Sequence, residues 1–316
     1  MRVRVEAAAR LHLGFLDLGG EGGRRFGSIG IALEEPRCVV EADDGARGDA
    51  RPAHDPDVRA TLAELDGYLA APGDLHLAVL ESIPRHAGLG SGTQLRLAIG
   101  LAAARVRARP PDIPALARRL GRGRRSGIGL AVFQHGGFVV DAGRRRSAAD
   151  EVPPVVMRHP VPDEWRFVLV RPTAAAGLSG AAEERVFDVL PPMGPDAVGR
   201  ICRLVLMQAA PAVVTDDVAA FGTAVTEIQA VVGEHFAPYQ GGLYASPAGA
   251  QAVALALRHG AAGVGQSSWG PTVFAIVRGE TAAAALGDRL RRELGDAALV
   301  TWTAARNRGA TWRVVP

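Results

Sequence analysis

The run Ile83-Pro-Arg-His-Ala-Gly-Leu-Gly-Ser-Gly-Thr-Gln94 sets glycines at 88, 90 and 92 between a proline-ended apolar stretch and a helical segment that begins near Thr93. Glycine lets a backbone come close to an anion. The free N–H groups of a helix's first turn, aided by the helix dipole, bind phosphate. Ser91 and Thr93 add hydroxyls that can cap the helix or reach a ligand. The chemistry expected of Gly88, Gly90, Ser91, Gly92 and Thr93 is therefore the grip of a phosphate or pyrophosphate. A tight strand-to-helix turn without a ligand would use the same glycines. The spacing is not Gly-x-Gly-x-x-Gly, which argues against a Rossmann fold.

Composition narrows what can work beside that loop. The chain has 316 residues, a formal charge of +3 and 36 basic residues, every one of them arginine. Without lysine there is no Schiff-base or P-loop chemistry. A phosphate clamp must use arginine, hydroxyls or backbone N–H, and the arginine fork suits phosphate and carboxylate alike. The arginines are scattered, with short clusters at Arg122–Arg125 and Arg144–Arg146, and no nucleic-acid motif accompanies them. No nucleic-acid partner is expected, and Arg144–Arg146 reads as a solvated turn. Cys38 and Cys202 form no metal or redox spacing and read as small apolar residues. No continuous apolar run reaches roughly 18 residues, and the start lacks a signal-peptide core. A cytoplasmic protein without a membrane partner is expected.

Apolar periodicity gives the elements that must hold the loop. Met1–Ala9, Ser28–Leu33 and Arg37–Ala42 read as strands, the last two separated by Pro36. Asp43–Asp57 reads as a loop, Asp57–Ala71 as a helix, Leu75–Glu81 as a strand, Thr93–Val106 as a helix and Phe138–Asp141 as a strand. Glu151–Pro162, with four prolines, reads as a connector. Beyond it follow a strand at Trp165–Arg171, helices at Asp196–Ala209, Val218–Val232 and Ala248–His259, a strand at Thr272–Val277, a helix at Ala282–Leu294, and strands at Ala298–Thr303 and Thr311–Val315. The order mixes strands and helices without βαβ alternation, so the fold class is α+β. Two domains are expected, 1–155 carrying the phosphate loop 84–93, and 156–316.

Pro84-x-x-x-Gly-Leu-Gly-Ser-Gly92 resembles the second motif of the GHMP superfamily, which wraps nucleotide phosphates. Gly263-Val-Gly-Gln-Ser-Ser-Trp-Gly-Pro-Thr-Val-Phe-Ala-Ile-Val277 stands where the third belongs. The resemblance implies an N-terminal domain like ribosomal protein S5 domain 2 and a ferredoxin-like C-terminal domain. Arg10-Leu-His-Leu-Gly-Phe-Leu-Asp-Leu18, Phe26-Gly-Ser-Ile-Gly-Ile-Ala-Leu33, Gly123-Arg-Arg-Ser-Gly-Ile-Gly129, Gly136-Gly-Phe-Val-Val-Asp141, Gln240-Gly-Gly-Leu-Tyr244 and Gly265-Gln-Ser-Ser-Trp-Gly-Pro271 are similar to one branch, the β-ribofuranosylaminobenzene 5′-phosphate synthases. Many kinases of the superfamily carry an aspartate after Ser-Gly-x to handle the acceptor hydroxyl. Here that place is Gly129, which cannot be a general base. This weakens, without excluding, an ATP-dependent small-molecule kinase; a non-catalytic regulator on the same fold is a third reading.

The branch implies decarboxylating transfer of a phosphoribosyl group from phosphoribosyl pyrophosphate to 4-aminobenzoate, releasing CO2 and pyrophosphate, in tetrahydromethanopterin biosynthesis. Pyrophosphate would be gripped by Gly88–Thr93, arginines and Mg²⁺ or another divalent cation. Asp17 is the candidate for stabilising the ribosyl cation or ligating the metal. Arg10 or Arg125 would meet the carboxylate, His12 would shuttle a proton, and Trp269 would wall the ring. Ser126, Gln266, Ser267 and Ser268 complete the expected substrate contacts. Other roles fit some of these side chains: an Arg10–Asp17 ion pair, a structural His12, turn-satisfying serines at 267 and 268, a core Trp269. Glu183 and Glu184 would either open a helix or ligate a metal. The acceptor remains open between 4-aminobenzoate and a relative such as 4-hydroxybenzoate. A homodimer is the default among oligomers.

Overall fold

The computed structural model describes residues 1–44, 55–65, 67–68, 75–148, 150–174 and 180–316, with backbone alone at 180–182 and 184. Strand β1 (Arg2–Asp17) is followed by the two-residue β2 (Arg24–Arg25) and by β3 (Gly27–Asp43). Helix α1 (Pro56–Leu65), strand β4 (His76–Glu81) and helices α2 (Ser91–Val106), α3 (Ile113–Arg119) and α4 (Ile128–His135) come next. Strands β5 (Phe138–Asp141), β6 (Arg144–Arg145), β7 (Val155–His159) and β8 (Trp165–Pro172) lead into α5 (Gly180–Val189) and α6 (Pro195–Leu204). A π-helical turn at Val205–Ala209 joins α6 to α7 (Ala210–Val214). The chain ends with α8 (Val218–Gln240), α9 (Pro247–Arg258), β9 (Gly263–Gln266), β10 (Val273–Arg278), α10 (Glu280–Leu294), β11 (Ala298–Ala304) and β12 (Thr311–Val315).

β1 and β3 pair antiparallel from Val3↔Ala42 to Asp17↔Gly27 and form the middle of a sheet ordered β12-β1-β3-β5-β7, with β4 also on β3. Both are longer than their apolar runs suggest. Pro36 does not end a strand, because Ala8 pairs with Arg37 while Ala9 pairs with Leu33. The residues between bulge out of the ladder, where proline's missing N–H does no harm. Alternate side chains serve two cores. Val3, Val5, Leu11 and Leu13 join the main core with α2, and Ala8 and Ala32 meet Ile128, Ala131 and Val132 of α4. α3, α4 and β9 were not marked by periodicity, being only four to eight residues long.

The second sheet runs β11-β8-β10-β9. Val168 and Val170 of β8 pack toward α9 and α10, while Trp165, Phe167 and Leu169 turn to the main core. That two-sided burial explains why β8 reads as an unbroken apolar run. The domain division is not a single cut at 155/156. β7 pairs with β5 and β12 returns to pair with β1, so the first sheet is completed from the far end of the chain. The expected loop at Asp43–Asp57 and the end of the helix at Asp57–Ala71 lie partly outside the described residues.

Pro195–Val214 is long and apolar enough, by length and composition, to cross a bilayer, although no single uninterrupted apolar run shows it in the sequence. In the structure Ile201, Leu204, Val205 and Ala209 join the main core, and Leu206, Met207 and Val214 stay exposed.

α8 crosses β9 at Gly222. A Cβ there would lie 2.1 Å from the Ala262 carbonyl oxygen, and one at Gly263 would lie 2.4 Å from Gly222 Cα. Gly222→Ala should gain roughly 1 kcal/mol of helix propensity and lose more than that by forcing two backbones apart. A net loss of about 2 kcal/mol is expected in urea unfolding; unchanged stability would mean that the crossing is loose.

Candidate active site

Three segments far apart in sequence meet at one serine hydroxyl. Ser267, fully buried in the turn after β9, accepts the His12 N–H at 3.0 Å and donates to the Gly88 carbonyl at 2.7 Å. Arg10 donates to the same carbonyl, and its backbone N–H donates to Leu89 O at 3.1 Å. Gly88, at φ +73, has no room for a side chain, since a Cβ would lie 2.3 Å from the Ser267 carbonyl oxygen. Gln266 ties the turn further. Its Oε1 accepts the Ala245 N–H at 2.7 Å, and its own N–H donates to Gln229, whose amide donates to Leu13 O at 2.6 Å. The glycine loop is thus seated on β1 and on the β9–β10 turn at once.

Above this seat opens a cleft of about 1180 Å³, lined by nine arginines against four carboxylates among the described residues. One wall is apolar. Phe15, Phe26 and Phe187 meet at centroid distances of 5.7–6.2 Å, with Leu18 and Leu190 beside them. Phe26 holds φ +67, an uncommon backbone state for an aromatic residue, and its N–H donates to Asp17 O at 2.6 Å. The cationic side includes Arg96, Arg122 and Arg125. Arg96 is paired with Glu64 at 2.7 Å and Arg125 with Glu183 at 3.6 Å, and Arg125 also lies over the Phe187 ring at 5.1 Å.

Burial sets the protonation of the seat. His12 is pulled from 6.5 to about 3 by desolvation, with the Arg10 cation adding to the effect. It is therefore a neutral imidazole at pH 7, and its buried Nε2 has no hydrogen-bond partner. Arg10 falls to about 10 by desolvation and stays cationic. Arg122 is lowered by desolvation and by its neighbour Arg96. Asp141, buried at the end of β5, is raised to about 7 by desolvation and accepts from Gly127 N at 3.0 Å and Gly143 N at 2.8 Å. It fixes the turn that leads into α4.

Arg10, His12, Thr93, Arg125, Ser126 and Ser268 all line the cleft. Gly88 and Gly90 lie behind it, the first against Ser267 and Gly270, the second against Arg10. Ser91 and Gly92 open α2, and a Cβ on Gly92 would meet nothing nearer than Arg122 Nη1 at 4.0 Å. Ser126 accepts from Ser28 at 2.9 Å and from Ile128 N at 3.2 Å, so it also begins α4. Asp17 does not line the cleft. Its Oδ1 accepts the N–H groups of Gly19 at 2.7 Å and Gly20 at 2.8 Å, which shapes the loop before Phe26. No ion pair joins Arg10 to Asp17 among the described residues. Trp269 does not wall the cleft either. It is buried on Phe236 at 4.3 Å, and Phe15, Phe26 and Phe187 stand where it was expected. Glu183 lies in the first turn of α5 and in the cleft; the Glu184 side chain lies outside the described residues.

The 144–146 segment is exposed at Arg145 and Arg146, as a solvated turn would be, but Arg144 and Arg146 also line the cleft, which the sequence reading did not give. Arg25 and Phe187 lay outside every motif, and Phe26 and Arg122, though in a quoted motif and an arginine cluster, were given no site role. The usable signal was the doublet Arg24-Arg25 beside an aromatic residue, repeated as arginine runs in two other loops. Gly129 sits where α4 meets α2. A Cβ there would lie 3.1 Å from Thr93 Cγ2, and Gln94 donates to the Gly129 carbonyl at 2.8 Å. The position is filled by Thr93 and leaves no space for a carboxylate.

Comparison with known proteins agrees with this geometry. The sequence matches the GHMP kinases N terminal domain over residues 58–137 and the GHMP kinases C terminal domain over residues 209–296. The fold matches homoserine kinase from Cytophaga hutchinsonii (TM-score 0.69, 18% identity, 99% of this chain and 97% of that one) and Streptococcus pneumoniae phosphomevalonate kinase (0.69, 12%, 97% and 100%). These define a GHMP fold. The sequence is 33% identical to a β-ribofuranosylphenol 5′-phosphate synthase of Methanothermobacter thermautotrophicus over 97% of both chains, and 33% identical to one of Archaeoglobus fulgidus over 97% of this chain and 98% of that one. The chain belongs to this synthase family within the GHMP superfamily and is an enzyme.

Because His12 is neutral when folded and titrates near 6.5 when unfolded, its contribution is present above pH 6.5 and is lost as pH falls toward 3. Relative to His12→Asn, the wild-type chain should lose about 2 kcal/mol between pH 7.5 and 5.0. Urea unfolding of both chains at the two pH values checks this; a constant difference would mean that the ring is solvated.

Proposed function

We propose that the protein transfers a phosphoribosyl group from phosphoribosyl pyrophosphate to the ring of 4-aminobenzoate, with loss of CO2 and pyrophosphate, as a step toward tetrahydromethanopterin. The supporting observation is one cleft that joins an excess of arginine to an aromatic wall. The relatives are named for a ribofuranosylphenol 5′-phosphate, which carries a hydroxyl where a ribofuranosylaminobenzene carries an amino group. 4-Hydroxybenzoate is therefore the acceptor to test beside 4-aminobenzoate.

In this reaction the ring carbon that bears the carboxylate attacks the anomeric carbon. The anomeric C–O bond breaks with its electrons leaving on pyrophosphate. The bond to the carboxyl group then breaks, its electrons restore the aromatic ring, and CO2 departs. No proton has to be removed. A kinase that relies on a general base to take the acceptor's proton would need one here, so a glycine at 129 and a neutral, buried His12 suit this chemistry better than that of such a kinase. His12 Nε2, unpartnered in the cleft, would hydrogen-bond substrate rather than shuttle a proton.

The departing pyrophosphate would meet the N–H groups at the start of α2, the Thr93 hydroxyl and Arg122, with Arg10 bracing the loop beneath. The ring would lie on Phe15 and Phe187, with Arg125 toward its carboxylate. Glu183 and Asp188 line the cleft and would place negative charge near the ribosyl centre, a task that the backbone contacts of Asp17 do not favour. Among the described residues no three His, Cys, Asp or Glu side chains cluster to hold a metal. The donor set therefore fits Mg²⁺ that arrives on pyrophosphate and takes one carboxylate, Glu21 or Asp188, from the protein. Such a cation would offset charge on the leaving group. A polyanionic donor is retained in the cytoplasm, where this reading places the enzyme.

Purified protein with phosphoribosyl pyrophosphate, Mg²⁺ and carboxyl-labelled 4-aminobenzoate should release labelled CO2 and pyrophosphate in equal amounts, with 4-hydroxybenzoate run in parallel. Pyrophosphate without CO2, or phosphate transfer from ATP to an added alcohol, would sink the proposal. Arg125→Gln should lower kcat/KM for the acceptor about 10- to 100-fold, the loss expected for one charge-assisted contact. An unchanged acceptor KM and kcat would remove Arg125 from the ring site.

A further inference from the structure

The β2–β6 ribbon carries two like-charge pairs directly across from each other, Arg24↔Arg145 and Arg25↔Arg144. Such pairs destabilise a ribbon unless something compensates them. Successive strand residues point to opposite faces, and the two faces are treated differently. On the outer face Glu151 lies 3.3 Å from Arg24 and 3.2 Å from Arg145, and also accepts the Arg145 N–H at 2.6 Å. On the cleft face no carboxylate among the described residues forms an ion pair with Arg25, Arg144 or the following Arg146. Arg25 Nε is buried and without a hydrogen-bond partner; desolvation and then the Arg144 and Arg146 charges lower the pKa of Arg25, against a smaller raising effect of Asp17 and Asp188.

Two of the cations on this face, Arg25 and Arg144, are held in place, and Arg146 is anchored by its backbone. Arg25 and Arg144 both lie over the Phe26 ring, at 4.1 and 5.6 Å. Arg144 donates to the Arg124 carbonyl at 2.7 Å, and the Arg146 N–H donates to Gly23 O at 3.1 Å. Phe26 itself sits in a left-handed backbone state between β2 and β3. Three guanidinium ions that open into a cleft with no ion-paired carboxylate among the described residues, and only Asp17 and Asp188 acting on Arg25 from further off, suit an anion. One arginine fork satisfies a carboxylate, whereas three converging cations suit a dianion with three equivalent oxygens.

We infer that Arg25, Arg144 and Arg146 form a subsite for a phosphomonoester dianion, separate from the pyrophosphate grip at the start of α2. The inference rests on the reading above only in naming that ester as the 5′-phosphate of the ribosyl donor. The two ends of the donor would then be held by different parts of the chain, which fixes the anomeric carbon between them over the aromatic wall.

Binding of ribose 5-phosphate and of inorganic pyrophosphate to the full-length chain, each alone and at constant ionic strength, tests the subsite by calorimetry. Arg144→Gln/Arg146→Gln should weaken ribose 5-phosphate about tenfold or more and change pyrophosphate by no more than about twofold. Arg146→Gln alone, at an exposed position, should act in the same direction if the double variant does not fold. Arg145→Gln removes the same charge from the other face and should leave ribose 5-phosphate within about twofold. Equal weakening of both ligands, no weakening of either, or failure of the wild-type chain to bind ribose 5-phosphate would overturn the subsite. Selective loss in a protein that forms no labelled CO2 would support the subsite while removing the reaction proposed for the cleft.

Discussion

The Gly88 carbonyl, shared by the Ser267 hydroxyl and the Arg10 guanidinium, is the contact on which the cleft depends. It joins β1, the glycine loop and the β9–β10 turn, and so holds residues 10, 88 and 267 in register across both sheets. The partners are buried, so losing one would leave a polar group without water. Ser267 binds through its backbone neighbours as well, since Ser268 N–H donates to His12 O at 3.3 Å. Two elements that look like independent ligand-binding motifs in the sequence are thus a single mechanical unit. One of them presents the helix terminus, and the other keeps it from moving.

The second constraint is electrostatic. Elsewhere on the protein arginines find carboxylates, as Arg4 does with Glu41 at 2.5 Å and Arg37 with Glu81 at 2.8 Å. In the cleft they outnumber them, and desolvation lowers Arg10, Arg25 and Arg122 together. Such crowding costs folding energy that Glu183, Asp188 and Glu64 offset only in part. The aromatic wall lies against these charges, with Arg25 over Phe26 at 4.1 Å and Arg125 over Phe187 at 5.1 Å.

Much of this was legible in the sequence, for reasons that differ by residue. The glycine loop was readable because backbone approach demands glycine, and β8 because burial on both faces leaves an unbroken apolar run. Arg10 and His12 were readable as polar residues within an otherwise apolar strand. Asp17 was misleading. An aspartate after a strand suits a ligand or a turn equally, and only the Gly19 and Gly20 N–H groups decide for the turn. Trp269 was ambiguous in the same way, since nothing in its own motif shows that Phe236 covers it. Arg144 and Arg146 were invisible as site residues because their meaning comes from pairing with β2, more than a hundred residues away. Strand partners at that separation leave no local trace.

Gly129 shows how one fold can serve two kinds of transfer. A glycine loop and helix N-terminus suit a departing or a donated phosphate chain alike, because such a terminus responds to negative charge and not to the bond being broken. What separates the reactions is the fate of the acceptor's proton. A hydroxyl must lose one, and the kinases of the superfamily that use an aspartate for it carry that residue where Gly129 stands, beside Thr93 at the start of α2. A ring that expels CO2 loses none. At Gly129 α4 packs onto Thr93, so no side chain stands there to take a proton. In the transfer proposed above, the absent carboxylate and the aromatic wall would serve one requirement, that an electrophilic sugar should meet carbon before it meets water.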